Sequence, residues 1–424
     1  MKDFIILLLY VIGSNVTIKL VGDISLSDII VVLYFIFYLY QSFFVKFLKS
    51  DRDIYIISKL YVTLFFIQLL AELFVGNEYK NILRGLSVTV LSLMKFVFFW
   101  FMFLKSKRNI VNVLLCMLIV SLFTTQNVDG VTEDDILEGT SQAAFTYFKF
   151  RIAPMIGLGL TVLSLFQRKM LMVYLFIYFG LACIILGARS TGLMISMSGI
   201  IGYLFVTRNK LNKKKVWMYS IFSSVVCYIL FVVYINAVLT GKIVSGNSAE
   251  QIKNLENPYN PISFLLSGRT ESPGSIAAIQ DSPIIGWGAW AEDPDLKYTR
   301  IKLAFQGELI SLSDYKRGSS IIPGHSVLLQ TGVNNGVLAM FTMAMILFFF
   351  IKRGFLSLCK SNKYLFLVIY CIMQLFWNGL FSPLSHFRGL FPLYFAICLY
   401  SYKMQVIYSY GKESIGSNSY FRKS

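Results

Sequence analysis

Long apolar runs alternate with short polar breaks along almost the whole 424-residue chain. Each run is close to the roughly 20 residues that cross a hydrocarbon core as a helix. The runs lie near 4–21, 26–46, 55–75, 87–104, 110–125, 152–167, 170–187, 190–207, 216–239, 326–351, 364–381 and 390–408. The pattern predicts an all-α, polytopic integral membrane protein of about 12 transmembrane helices. One polar stretch breaks the rhythm. Residues 241–324 separate the ninth run from the tenth and predict one long, partly helical extracytoplasmic loop. The chain then divides into a bundle of about nine helices (1–240), the loop (241–324), a bundle of about three helices (325–410) and a tail (411–424).

The polar breaks also carry the orientation. Lys46, Lys49 and Arg52 follow the second run, and Lys105, Lys107 and Arg108 the fourth. Arg168 and Lys169 follow the sixth, Arg208, Lys210, Lys213, Lys214 and Lys215 the eighth, and Lys352, Arg353, Lys360 and Lys363 the tenth. Positive charge is retained on the cytoplasmic side, so these loops, both termini and the tail are expected to be cytoplasmic. The net charge of +17 is therefore topology information, and no nucleic-acid partner is expected. The long loop, with eight Lys/Arg against nine Asp/Glu, lacks that basic excess and is expected on the outer face. A second outer loop, near 126–151, carries Glu133, Asp134, Asp135 and Glu138.

Composition changes the picture little. The chain is 56% hydrophobic and 14% charged, against about one quarter charged in soluble domains, which excludes a soluble globular protein. The N-terminal run resembles a signal peptide but lacks a small-residue cleavage site, and is read as a retained first helix. The six cysteines fall in or beside apolar runs without CxxC or zinc spacing, and read as small core residues. Neither a metal nor another cofactor is expected. Lys59 and Lys95 lie within runs, where charge is costly; Lys59 is near enough to an end to snorkel, whereas Lys95 calls for a partner in the bundle.

The long loop has internal order. A turn-rich NPYNP (257–261) precedes a segment near 274–281 that reads as a short helix with Pro273 near its first turn. Gly286-Trp287-Gly288 reads as a tight turn presenting an aromatic. Trp287 and Trp290 suit stacking on a sugar ring and equally suit anchoring at a membrane surface. No repeat or pair of matching halves is visible, which weighs against a transporter built from inverted repeats.

Three outer residues carry candidate chemistry. Arg189, in the short turn GARST, is placed to snorkel to lipid phosphate or to clamp a phosphate-bearing ligand with its planar fork. Arg269 stands in SGRT, and His325 at the mouth of the tenth run. A neutral histidine accepts a proton from a hydroxyl; it also caps helices. Two arginines and a histidine at one cavity would fit group transfer from a diphosphate donor to a hydroxyl. His386 and Arg388, in SPLSHFRG, could line the same cavity or anchor at the interface. Arg151 enters the sixth run.

These residues carry a resemblance. The chain resembles the O-antigen polymerase and O-antigen ligase superfamily of bacterial membrane glycosyltransferases. It does so in Gly187-Ala188-Arg189-Ser190, in SGRTESPGSIAAIQDSPIIGWG (267–288) with its Ser-Gly-Arg start and Pro-x-x-G-x-G end, and in GHSVLLQTGVNNG (324–336). His325, Ser326, Leu329 and Gly336 satisfy the third pattern, while Ala339 stands where the family has a further glycine. An arginine is frequent in the family near Arg151, although IAPMIGLG lacks the Pro-Asn pair usual there.

The resemblance implies an enzyme of the bacterial inner membrane, with the long loop periplasmic. Its donor would be an oligosaccharide on undecaprenyl diphosphate, and its reaction metal-independent glycosyl transfer to the hydroxyl of a lipid-linked acceptor repeat. Arg189 and Arg269 would hold the diphosphate, His325 would be the general base, and Arg151, Trp287, His386 and Arg388 would bind substrate. A chain-length regulator and a flippase would be its protein partners. Polymerase is the expectation, ligase onto lipid A-core the alternative within the class, and a polysaccharide flippase or transporter the alternative outside it. A non-catalytic assembly partner would tolerate loss of all three central residues.

Overall fold

The computed structural model describes residues 2–19, 23–39, 51–123, 147–207, 225, 228–229, 231–241, 252, 257–260, 271–306, 319–358 and 363–420. Arg269, the outer loop over 126–146, the basic residues 208–215 and the cysteines Cys227 and Cys359 lie outside them.

The fold is all-α. A short helix α1 (Lys2–Gly13) is followed by an antiparallel pair, β1 (Thr17–Lys19) and β2 (Asp23–Ser25), in which Ile18 faces Ile24. Helices α2 (Leu26–Leu39), α3 (Arg52–Val75), α4 (Tyr79–Lys105) and α5 (Arg108–Phe123) come next. A π-turn at Phe148–Ile152 leads into α6 (Ala153–Leu163), then α7 (Lys169–Ile185) and α8 (Arg189–Thr207). Residues 231–239 are helical. The loop region holds α9 (Glu271–Asp281), β3 (Glu292–Pro294), α10 (Lys297–Gln306) and β4 (Ser319–Ile321), with β3 and β4 antiparallel. Helices α11 (Val327–Leu358), α12 (Leu365–Phe381), α13 (Ser385–Arg388) and α14 (Phe391–Tyr420) complete the described chain.

Among the described residues four helices, α3, α4, α8 and α11, are long and apolar enough to cross a membrane. Helices α5, α7 and α12 and the first turns of α2 are apolar but shorter. Helices of this kind point to a membrane protein. The expected second and ninth runs, 26–46 and 216–239, lie partly outside the described residues. Residues 4–21 are not one helix, because Gly13 ends α1 and the side chains of Ser14 and Asn15 bond back to the Val11 carbonyl at 2.7 and 3.1 Å. Side-chain bonds of this type compete with the helical ladder. The tenth run is also not one uninterrupted helix. Inside α11, Asn335 (φ −135°, ψ 18°) and Gly336 (φ 79°, ψ 175°) leave helical geometry.

The main core lies between α4, α11 and α14. Phe350 stacks on Phe395 at 4.0 Å between ring centroids and meets Phe96 edge-on at 5.1 Å, with Trp100 buried nearby. Helices α7 and α8 approach closely through small residues: a Cβ on Gly192 would come within 2.6 Å of the Gly180 carbonyl oxygen. Such contacts let helix backbones pack where lipid removes the hydrophobic drive for association. Phe66 and Leu73 on α3, and Phe341 and Phe348 on α11, stand exposed, leaving apolar faces suited to lipid. The described cysteines Cys116, Cys183, Cys371 and Cys398 are buried free thiols.

One end of the bundle is tied by ion pairs. Lys403 bridges Asp51 (2.8 Å) and Asp53 (2.7 Å), Arg353 pairs with Asp53, and Lys105 faces Asp3 at 3.7 Å. Asp51 also caps α3 by accepting the Asp53 N–H at 2.9 Å. The loop region lies at the opposite end.

Candidate functional site

The break in α11 is where the loop docks. Trp287 N–H donates to the Val333 carbonyl and Gly288 N–H to that of Asn334, both at 2.8 Å, and Val337 N–H donates to the Pro283 carbonyl at 2.7 Å. Residues 283–288 thus satisfy backbone groups that the unwound helix exposes. This needs glycine: Gly286 (φ 78°) lies so close to Asn334 and Asn335 that a Cβ would come within 2.6 Å, and a Cβ on Gly336 would collide with the Ile284 carbonyl oxygen.

A buried carboxylate holds this junction. Glu72, 1% exposed in the last turn of α3, accepts from Ala289 N–H (2.8 Å), the Asn77 amide (2.8 Å) and the Asn335 amide (3.3 Å). The Asn77 amide also reaches the Ala289 carbonyl at 3.0 Å. Nearby, the Arg84 guanidinium lies 4.4 Å from the Trp290 ring. Trp290 has a φ of 59°, a strained value for a bulky residue.

Beside the junction stand the only two histidines in the chain. His325 is exposed, just before α11; His386 is half-buried in α13. Gln330 accepts the Leu384 N–H at 3.1 Å, and the Ser326 hydroxyl donates to the Gly379 carbonyl at 3.3 Å, so α11 and the α12–α13 turn are joined here. Burial, the larger cause, and the nearby His325 together push His386 below the ordinary histidine pKa. An apolar groove of about 360 Å³ is lined by Leu328, Val337, Phe341, Leu380 and Phe381, with Ser272 and Ser326, the residue after His325, on its walls.

Beneath α13 lies the partner that Lys95 calls for. Its ammonium is 2.7 Å from Asp28, and both side chains are at most 4% exposed. Asp28 also accepts from the Ser25 N–H (2.9 Å) and hydroxyl (2.8 Å). Arg388 lies within electrostatic reach of the pair, and Phe387 stacks on Tyr61 at 5.7 Å. Lys59, as a snorkelling residue should, is exposed, and its ammonium lies 4.4 Å over the Tyr55 ring.

A second cavity, about 520 Å³, opens between α9 and α10 and is lined by Asp281, Trp287, Asp295, Lys297, Tyr298 and Arg300. Bonds from Lys297 and Tyr298, both 2.6 Å, hold Asp281 below the usual carboxylate range. Burial and the Asp281 carboxylate raise the Tyr298 phenol.

The structure thus places His325 within electrostatic reach of His386, with Arg388 in the same turn as His386. The predicted helix near 274–281 is α9, the Gly286-Trp287-Gly288 turn forms, and Trp287 is half-buried. Its indole N–H donates to the Ala278 carbonyl at 2.8 Å and its ring meets Tyr298 edge-on at 5.7 Å. Arg189 opens α8 and donates to the Tyr234 hydroxyl, with its guanidinium 5.1 Å from that ring. Arg151 donates to the Ser121 carbonyl at 3.2 Å and lies over Tyr147 at 5.3 Å, contacts that tie α5 to the π-turn.

Sequence reasoning missed Glu72, Asp28 and the cleft between α9 and α10. The first two were visible as carboxylates inside apolar runs, where ionisable groups rarely stand without a role. The cleft residues sit in a polar loop and carry no such signal. The chain matches no protein-family model, and no curated protein matches it significantly.

Proposed function

We propose that this chain is a polytopic inner-membrane glycosyltransferase that joins lipid-linked oligosaccharide repeats into a surface polysaccharide on the periplasmic face. The observation that carries this is an apolar groove of about 360 Å³ that opens at Ser326, the residue after His325, with His386 within electrostatic reach of His325. A substrate with a prenyl tail and a diphosphate-linked glycan needs an apolar channel next to polar chemistry.

In the proposed reaction, the acceptor hydroxyl oxygen attacks the anomeric carbon of the donor. The carbon–oxygen bond to the diphosphate breaks, and the diphosphate leaves on its lipid. His325 takes the hydroxyl proton. His386, disfavoured as a cation by burial and by its neighbour, stays neutral near pH 7 and does not oppose that transfer by its own charge. Arg189 and Arg269 hold the diphosphate and balance its growing negative charge, and Arg388 adds positive potential on the histidine side.

The test is the surface-polysaccharide ladder of a strain lacking the gene. Loss of the chain is expected to collapse the ladder to core plus one repeat, and His325→Ala at normal membrane level is expected not to restore it. Core without repeats, with long lipid-linked chains accumulating, would assign the ligase. An unchanged ladder would refute both.

A further inference from the structure

We propose that the cleft between α9 and α10 is a saccharide-binding subsite. It takes a neutral pyranose of the substrate glycan, away from the bond being made. The proposal rests on the glycosyltransferase reading and deepens it.

The cleft has the chemistry of a sugar site. Trp287 supplies an aromatic wall, fixed in place because its N–H is bonded to the Ala278 carbonyl. A pyranose offers an apolar C–H face to such a wall and hydroxyls around its edge. Asp281, Asp295, Lys297, Tyr298 and Arg300 present donors and acceptors to that edge. The two acids and two bases balance, which favours a neutral sugar over a uronic acid. Asp281 is already oriented by Lys297 and Tyr298.

The backbone is built to hold this arrangement. The non-glycine residues with positive φ among those described are Trp290 (59°), Asp295 (59°) and Leu296 (55°), all in this segment. Strain of this kind gathers at functional sites and persists only where the surroundings enforce it. Asp293, fully buried, does so: it accepts the N–H groups of Tyr298 (3.2 Å) and Thr299 (2.7 Å) and the Thr299 hydroxyl (2.8 Å).

Placement relates the cleft to the histidines. Ser272, near the start of α9, lines the apolar groove beside Ser326, and Asp281, at the end of α9, lines the cleft. Ser272 and Asp281 stand nine residues apart on α9, about 13.5 Å at 1.5 Å per residue. An oligosaccharide, and no single sugar, bridges that distance. Contacts to this remote sugar would hold it equally in the ground and transition states, so their loss would show mainly in KM.

The experiment uses the full chain in detergent. The probe is the lipid-free oligosaccharide repeat, released by mild acid from the lipid-linked material of the source strain. Saturation-transfer NMR and calorimetry are expected to show binding, weakened at least tenfold by Arg300→Ala and by Asp295→Ala. Both residues are exposed, so these variants should fold; Trp287→Ala would open the loop core and is the less informative change. The same two variants are expected to raise KM for the lipid-linked donor more than they lower kcat. No binding to the wild-type chain, or equal binding by both variants, would overturn the subsite even if polymer is made. Binding lost in both variants, with full polymer length in a His325→Ala strain, would keep the subsite and overturn the base assignment instead.

Discussion

The Glu72 carboxylate accepts the backbone N–H of Ala289 at 2.8 Å across 217 residues of sequence, fastening the loop to the top of α3. Glu72→Ala leaves that buried N–H and two asparagine amides short of an acceptor. An unsatisfied buried group costs about 1–3 kcal/mol. The variant is expected to melt earlier and to be nicked faster by protease within 282–290, while Glu72→Gln, which keeps one acceptor oxygen, retains most of the protection. Equal digestion of Glu72→Ala and wild type would remove Glu72 as the latch.

The break in α11 depends on Gly336. Its φ of 79° with ψ of 175° belongs almost only to glycine, and an added Cβ would meet the Ile284 carbonyl. Gly336→Ala is expected to destabilise the chain by more than about 3 kcal/mol, the upper end for backbone strain alone. Detergent size-exclusion should show loss of the monodisperse peak. Wild-type behaviour would mean that α11 adopts a regular helix there.

The Asp28–Lys95 pair is buried, so removing one partner strands a charge. Lys95→Met or Asp28→Asn alone is expected to cost about 3–5 kcal/mol. The double variant should recover much of that loss in a thermal melt. An additive double variant would show that the two side chains do not act as a pair.

His386 predicts a pH dependence with a definite sign. Its pKa is lowered in the folded chain, first by burial and then by His325. Below the unfolded histidine value of about 6.5, the unfolded chain binds the proton more readily. The stability contributed by neutral His386 is therefore present above that pH and lost as pH falls through it toward the folded value. Melting curves from pH 8 to pH 5 should show a smaller acid loss in His386→Asn than in wild type. His325→Asn should raise the His386 pKa only part of the way, because burial remains; no change would mean the two rings do not interact.

Much of the fold is legible in the sequence. The apolar periodicity located α3, α7, α8 and α12 to within a few residues, because burial and lipid exposure both demand apolar side chains over a helical length. Pro273 and the flanking glycines marked α9 and the turn at Trp287. The failures have local causes: Ser14 and Asn15 end α1 early, and Gly336 breaks α11, within runs that hydropathy alone reads as continuous. Of the candidate site, the sequence marks His325 and His386. Trp287 reads from sequence as an aromatic presented by a turn; in the fold its N–H is bonded to the Ala278 carbonyl while it lines the cleft.

The sequence by itself determined the helical class and the apolar segments, since these follow from the solvent each stretch of chain prefers. Only the tertiary structure decided which distant polar groups meet: Glu72 with Ala289, Asp28 with Lys95, His325 beside His386, and the cleft that Trp287 shares with Arg300. Pairing of this kind depends on how helices cross and where a broken helix accepts a loop, and those choices rest on backbone contacts at Gly286 and Gly336 that hydropathy does not register.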